Sequence, residues 1–265
     1  MIESKARMSP DLKFDSWKFC GVSWNGPEIR WMIGFNLKKQ KVSGKEERRT
    51  YREMNSKEER VFFPSTGFQL EGLLSIQEAL PVKGGVVLCH PHSLYGGNMD
   101  NHVIQVASKV AQEEGFSTLR FNFRGVGKSG GTYGEGIGER KDVEAAIQFL
   151  KTKMKDPDLP LLFLGYSFGA WVGFPVAIRE ERIKGLIAIA PPLQMFDFNS
   201  LKGCKKKKLI IVGDQDFWCP SPLLNQWYQN LDEPKFLGLI PGADHFFFSH
   251  VQLIKDPLRS FFKTF

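Results

Sequence analysis

From residue 58 onward the apolar residues fall into short runs separated by polar turns, and the runs alternate in period. Arg60–Pro64 and Phe68–Ile76 read as two strands, with Ser65, Thr66 and Gly67 as the turn of a hairpin. Gly85–His90 (GVVLCH) is a short continuous apolar run, the mark of a strand buried on both faces of a parallel sheet. Further strands are expected at Thr118–Phe123, Leu161–Tyr166, Gly185–Ala190, Lys208–Val212 and Phe236–Ile240. Between them, Asn101–Gln112, Phe168–Ile178 and Leu223–Leu231 read as helices, and Val251–Phe262 as a closing one. Val143, Ala146, Ile147, Leu150 and Met154 recur at i, i+3, i+4, i+7 and i+11, which puts them on one apolar helix face. Strand alternating with helix at this spacing predicts an α/β fold with a doubly wound sheet over residues 58–265.

Residues 1–57 break this regularity. They hold Trp17, Trp24 and Trp31 among many Lys, Arg and Glu residues, with no sustained period of 2 or 3.6. Charge sharpens the division. The whole chain of 265 residues carries +7, but 13 basic and 7 acidic residues lie within residues 1–57, leaving 23 and 22 for the rest. The basic character therefore belongs to the leader, and the folded part is nearly neutral. Three readings of this segment stay open: a small, poorly ordered extension, a nucleic-acid or partner-docking arm, and a translated upstream region with the native start at Met54. With the charge so placed, no nucleic-acid partner is expected for residues 58–265.

The four cysteines (Cys20, Cys89, Cys204 and Cys219) show neither CxxC spacing nor a disulfide framework, and read as reduced thiols used as small apolar residues. No apolar run reaches the 18 residues of a membrane span, and no secretory signal pattern opens the chain. A cytoplasmic protein with no membrane partner is the expectation; oligomeric state is not legible.

Gly165-Tyr166-Ser167-Phe168-Gly169 fits G-x-S-x-G. The pentapeptide alone is a weak signal, but here it follows the apolar strand PLLFLG and opens the helix FGAWVGFPVAI, the setting that a nucleophile elbow requires. Gly165 and Gly169 relieve crowding at so sharp a turn, and Ser167 is the candidate nucleophile. A serine needs a base, and the base an orienting acid, because an isolated hydroxyl is barely nucleophilic at neutral pH. Of five histidines only His245 and His250 follow Ser167. His245, just past the last strand, is the candidate base, whereas His250 begins the final helix. For the acid, the strand LIIVG runs into Asp214-Gln215-Asp216 at the edge where α/β active sites lie. Asp216 lies further out and is favoured, with Asp214 as a turn-capping carboxylate.

These segments, together with LCHPHSLYGGNMDN (88–101), RFNFRGVGKSGG (120–131), IAPP (189–192), VGDQDFWCP (212–220) and PGADHFF (241–247), resemble the α/β-hydrolase superfamily. The likeness is closest to a bacterial group of small, capless, dienelactone-hydrolase-like hydrolases, and it covers residues 58–265. It implies an eight-stranded, mostly parallel sheet and a triad of Ser167, Asp216 and His245. It also implies an oxyanion hole from the N–H of Phe168 and that of His92 or Ser93, with Tyr166 supporting the elbow. His90 is expected to buttress the loop through a hydrogen bond. A zinc site of His90, His92, Asp100 and His102 is the rival reading of that loop and is not favoured, so neither metal nor cofactor is expected. Asn122 departs from the superfamily, which usually places Asp two residues before Arg124-Gly125.

Only about 16 residues separate the strands ending near Ala190 and beginning near Lys208, too few for a multi-helix lid. Leu193, Met195, Phe196 and Phe198 are expected to form a short apolar rim there, and Lys205–Lys208 a solvated strand entry. The expected activity is a serine hydrolase acting on small-molecule carboxylic esters or thioesters through an acyl-enzyme. A serine peptidase of aminopeptidase type is the alternative within enzymes. A non-catalytic binding protein of the same fold is the alternative outside them.

Overall fold

The computed structural model describes residues 58–78 and 81–265. The three readings of residues 1–57 lie outside the described residues. Eight strands form one sheet in the order β1-β2-β4-β3-β5-β6-β7-β8. β1 (Glu59–Ser65) and β2 (Phe68–Ser75) make the expected hairpin, turning at Thr66 and Gly67. β2 pairs antiparallel with β4 (Phe116–Phe121), and every pairing from there to β8 is parallel. β3 (Gly84–Cys89), β4 and β5 (Leu161–Tyr166) are buried at every position, β3 and β5 as nearly continuous apolar runs and β4 with Ser117, Thr118 and Arg120 among its buried residues. β6 (Ile183–Ile189), β7 (Lys207–Gly213) and β8 (Lys235–Ile240) complete the sheet.

The two-residue side-chain period divides each central strand between two cores. Val86 and Leu88 face α1 (His102–Glu113) and α5 (Lys255–Phe262) through Val103, Ile104, Leu258 and Phe262. Val87 and Cys89 face the other layer, formed by α2 (Ile137–Lys153), α3 (Phe168–Ala177) and α4 (Ser221–Gln229). The expected closing helix is thus a 3-10 turn, Val251–Ile254, running into α5. From β3 the chain winds first to β4 and then back across to β5, so the strand order reverses between β3 and β5. Loops at the carboxyl ends of these two strands diverge there and open a crevice.

Two expectations need correction. Lys205 is exposed as expected, but Lys206–Lys208 are not a solvated entry. The Nζ of Lys206 donates to the carbonyls of Ala177 (2.9 Å) and Glu180 (2.6 Å), closing the end of α3, and that of Lys207 donates to Thr264 (2.6 Å). Lys208 is fully buried and donates to the carbonyl of Asp232 (2.8 Å). Each ammonium serves backbone acceptors left over at the end of another element. Phe198 does not belong to an apolar rim either: it is buried against Phe174 and Trp227, whereas Met195 is 40% exposed. The segment between β6 and β7 holds one 3-10 turn, Asn199–Leu201, and no lid. Among the described residues no helix is long and apolar enough to cross a membrane.

Candidate active site

Ser167 sits between the end of β5 and the start of α3, at φ 54° and ψ −119°. A non-glycine residue held there stores about 1–3 kcal/mol of strain, so neighbouring contacts must enforce it. The Ser167 N–H donates to the Ile189 carbonyl at 2.8 Å and ties the turn to β6. A Cβ on Gly165 would lie 2.3 Å from the Ala170 nitrogen, and one on Gly169 would lie 2.4 Å from the Cys89 carbonyl oxygen. Both glycines are therefore obligatory for the close approach of strand and helix.

The loops after β7 and β8 deliver the other two groups. His245 Nε2 lies 2.9 Å from Ser167 Oγ, and His245 Nδ1 lies 2.9 Å from Asp216 Oδ2. With Nδ1–H donating to the carboxylate, Nε2 is left to accept the serine proton. Asp216 is 3% exposed, and its other oxygen accepts the N–H groups of Trp218 (2.9 Å) and Cys219 (3.2 Å), which fix the carboxylate plane. Tyr166 adds a link across 79 residues, its hydroxyl donating to the His245 carbonyl at 2.9 Å. Burial, with Asp216 and Asp244 nearby, raises the Tyr166 phenol well above its usual range, so it stays a donor. Burial and Asp216 likewise raise the Cys219 thiol. Asp214 instead accepts the Gly242 N–H at 2.8 Å and shapes the turn, and His250 starts the Val251–Ile254 turn beside Gly242.

The loop after β3 passes over the N-terminus of α3. His90 is fully buried; its Nε2 accepts the Phe123 N–H (3.1 Å), and its Nδ1 donates to the Pro91 carbonyl (2.6 Å). Burial outweighs the Pro91 hydrogen bond and lowers its pKa to about 4, which keeps the ring neutral. His92 packs its ring 4.5 Å from that of Phe168, accepts the Leu94 N–H at Nδ1 (3.2 Å), and faces the Tyr133 hydroxyl at Nε2 (3.2 Å). No acceptor among the described residues takes the N–H of Phe168, His92 or Ser93.

The zinc reading does not assemble. Asp100 pairs with Arg120 and His102 bonds the Phe246 carbonyl, so neither joins His90 and His92. Among the described residues no group of three His, Cys, Asp or Glu is placed to hold a metal ion.

Several site residues escaped the sequence reading. Trp218 packs edge-on against His245 at 4.6 Å, and its place two residues after Asp216 was the available signal. Trp171 also escaped it: it stacks at 4.2 Å on Phe196, one of the expected rim residues, beside Phe168 and from a segment 25 residues away. Asn122 shows why Asp is not used here. Its Oδ1 accepts the Met99 N–H (2.8 Å), while its Nδ2 donates to the buried Glu71 (2.9 Å). An Asp would set two carboxylates against each other.

A family model described as serine aminopeptidase, S33, matches residues 81–210, a span that includes Ser167 and ends before Asp216 and His245. The chain is 32% identical to an α/β serine hydrolase homologue from Coxiella burnetii; the alignment covers 76% of this chain and 96% of that one, with a TM-score of 0.71. An α/β serine hydrolase without lid from Xanthomonas campestris is 28% identical over 79% of this chain and 95% of that one, also at 0.71. A mitochondrial palmitoyl-protein thioesterase of Bos taurus is 27% identical over 172 residues, 62% of this chain and 52% of the relative.

Proposed function

Because the chain belongs to the α/β-hydrolase superfamily, we propose that it is a serine hydrolase cleaving carboxylic esters or thioesters through an acyl-enzyme intermediate. The observation that carries this reading is the hydrogen-bonded chain from Asp216 through His245 to Ser167, 2.9 Å at each step, on a strained turn.

Ser167 Oγ attacks the acyl carbonyl as its proton passes to His245 Nε2. Asp216 holds the imidazole in the tautomer that can accept that proton and stabilises the imidazolium that results. Charge then grows on the carbonyl oxygen, where the Phe168 N–H and that of His92 or Ser93 receive it. Loss of one such donor typically costs 10²–10³ in rate, about 3–4 kcal/mol. The imidazolium gives its proton to the leaving oxygen or sulfur, and a water activated by the same His245 releases the acid.

The family model's description favours a second reading, hydrolysis of aminoacyl amides. An aminopeptidase needs an anionic group for the substrate ammonium. Of the carboxylates on the loops after β7 and β8, Asp216 is paired with His245, while Asp214 and Asp244 serve the backbone N–H groups of Gly242 and of Phe246 and Phe247 in shaping their turns. The surroundings of Ser167 are aromatic instead, which supports ester or thioester substrates.

Purified protein assayed with p-nitrophenyl butyrate, a butyryl thioester and an aminoacyl p-nitroanilide tests both readings. Ester or thioester turnover is expected, falling at least about 10³-fold in Ser167→Ala. A higher kcat/KM for the anilide would replace the ester reading with the peptidase one.

A further inference from the structure

On one side of Ser167, flat rings lead outward from His245 in unbroken contact. Trp218 and Phe246 both meet the imidazole edge-on, at 4.6 and 5.6 Å between ring centroids. Phe248 stacks on Phe246 at 5.5 Å and 23°, and His102 stacks on Phe248 at 5.5 Å and 17°. Phe246 and Phe248 are 43% and 72% exposed, large apolar surfaces that a soluble fold has no internal reason to display. Nor is this a floppy loop. Asp244 accepts the N–H groups of Phe246 (3.0 Å) and Phe247 (2.9 Å), the Phe246 carbonyl bonds His102 Nε2 (2.9 Å), and Phe247 is fully buried. The backbone that carries Phe246 is held before any ligand arrives, which lowers the entropic cost of binding.

Resting on the hydrolase reading above, we infer that this shelf of Trp218, Phe246, Phe248 and His102 is the leaving-group subsite, and that the substrate's alcohol or thiol is a bulky, uncharged apolar group, best a planar one. The chemistry of acylation fixes the side. The bond from Ser167 Oγ to the acyl carbon forms while the bond from that carbon to the leaving oxygen or sulfur breaks. The proton that His245 took from Ser167 goes to the departing atom, which must therefore lie within reach of Nε2. The rest of the leaving group extends from that atom across the rings that surround His245. The acyl group is directed away, toward Phe168, Trp171 and Phe196. No Lys, Arg, Asp or Glu belongs to the row of rings, and the exposed Asp244 beside Phe246, whose Oδ1 accepts the N–H groups of Phe246 and Phe247, would repel an anionic alcohol.

The test compares ethyl butyrate with 2-naphthylmethyl butyrate, whose shared acyl group makes deacylation identical. Differences in kcat/KM then report acylation, the step in which the leaving group is still bound. The naphthylmethyl ester is expected to exceed the ethyl ester at least about tenfold, and Phe248→Ala to lower that ratio by about tenfold. Phe62→Ala, which removes a 48% exposed ring on β1, is expected to leave the ratio unchanged. A wild-type ratio near one, or a ratio that Phe248→Ala does not move, overturns the assignment. So does sedimentation showing that Phe248→Ala turns a dimer into a monomer, since the shelf would then be a contact between copies. Labelling of Ser167 by a fluorophosphonate in the same samples separates the two levels. Labelling without a leaving-group preference overturns the subsite alone, whereas no labelling and no turnover remove the hydrolase reading and the subsite with it.

Discussion

His90 illustrates how burial of one side chain writes a pH dependence into the whole protein. Its ring is held neutral with a pKa of about 4, against 6.5 for an exposed histidine. Below pH 6.5 the unfolded chain takes up a proton at this residue that the folded chain refuses. Stability from His90 is therefore complete above pH 6.5 and is lost as pH falls toward 4, by about 3 kcal/mol at 1.36 kcal/mol per pKa unit. Urea unfolding at pH 7 and pH 4.5 is expected to show a steeper loss for the wild type than for His90→Gln; equal losses would contradict it. Tyr166 acts at the same scale through one hydrogen bond to the His245 carbonyl. Tyr166→Phe keeps the ring and drops the donor, and kcat for p-nitrophenyl butyrate is expected to fall about tenfold, the equivalent of one buried hydrogen bond. An unchanged kcat would show that the loop after β8 holds His245 without it.

Between elements, the decisive contact is the approach of α3 to the end of β3. Gly169 lets the carbonyls of Cys89 and His90 lie where a Cβ would fall 2.4 and 2.6 Å away. Gly169→Ala is expected to cost roughly 3 kcal/mol by forcing backbone against backbone, and to move the loop that carries His92 and Ser93. Thermal unfolding with the residual esterase rate checks both; a variant as stable and active as the wild type would refute the packing argument. The same elements show what the sequence could disclose. GVVLC and LLFLGY are legible as central strands because burial on both faces leaves an almost unbroken apolar run, whereas β4 keeps Ser117, Thr118 and Arg120 buried and was legible only from Thr118 onward. Ser167, Asp216 and His245 were legible because each stands just past a strand, at the edge where loops converge. The roles of Lys206 and Lys208 were not, since their acceptors belong to α3 and to the Asp232–Pro234 turn, and nothing local announces them. The bond from Tyr166 to His245 was hidden for the same reason, as was the opposite pull of Met99 and Glu71 on Asn122.

For the molecule as a whole, strand order reverses between β3 and β5, where loops at the carboxyl edge diverge, and the short connection from β6 to β7 places no lid over that edge. Ser167, Asp216 and His245 meet there, from the loops after β5, β7 and β8. An open site of this kind relies on fixed side chains rather than closure to orient its substrate, which is why the rings around His245 and Phe168 matter to specificity. All of this stands on one claim, that Ser167 is made nucleophilic by His245. Intact-protein mass spectrometry after exposure to a fluorophosphonate, with peptide mapping, tests it most directly. A single phosphonyl adduct is expected on the peptide holding Ser167, lost in Ser167→Ala and slowed at least about 10³-fold in His245→Ala. Folded wild-type protein that stays unlabelled, or an adduct on another residue, would contradict it.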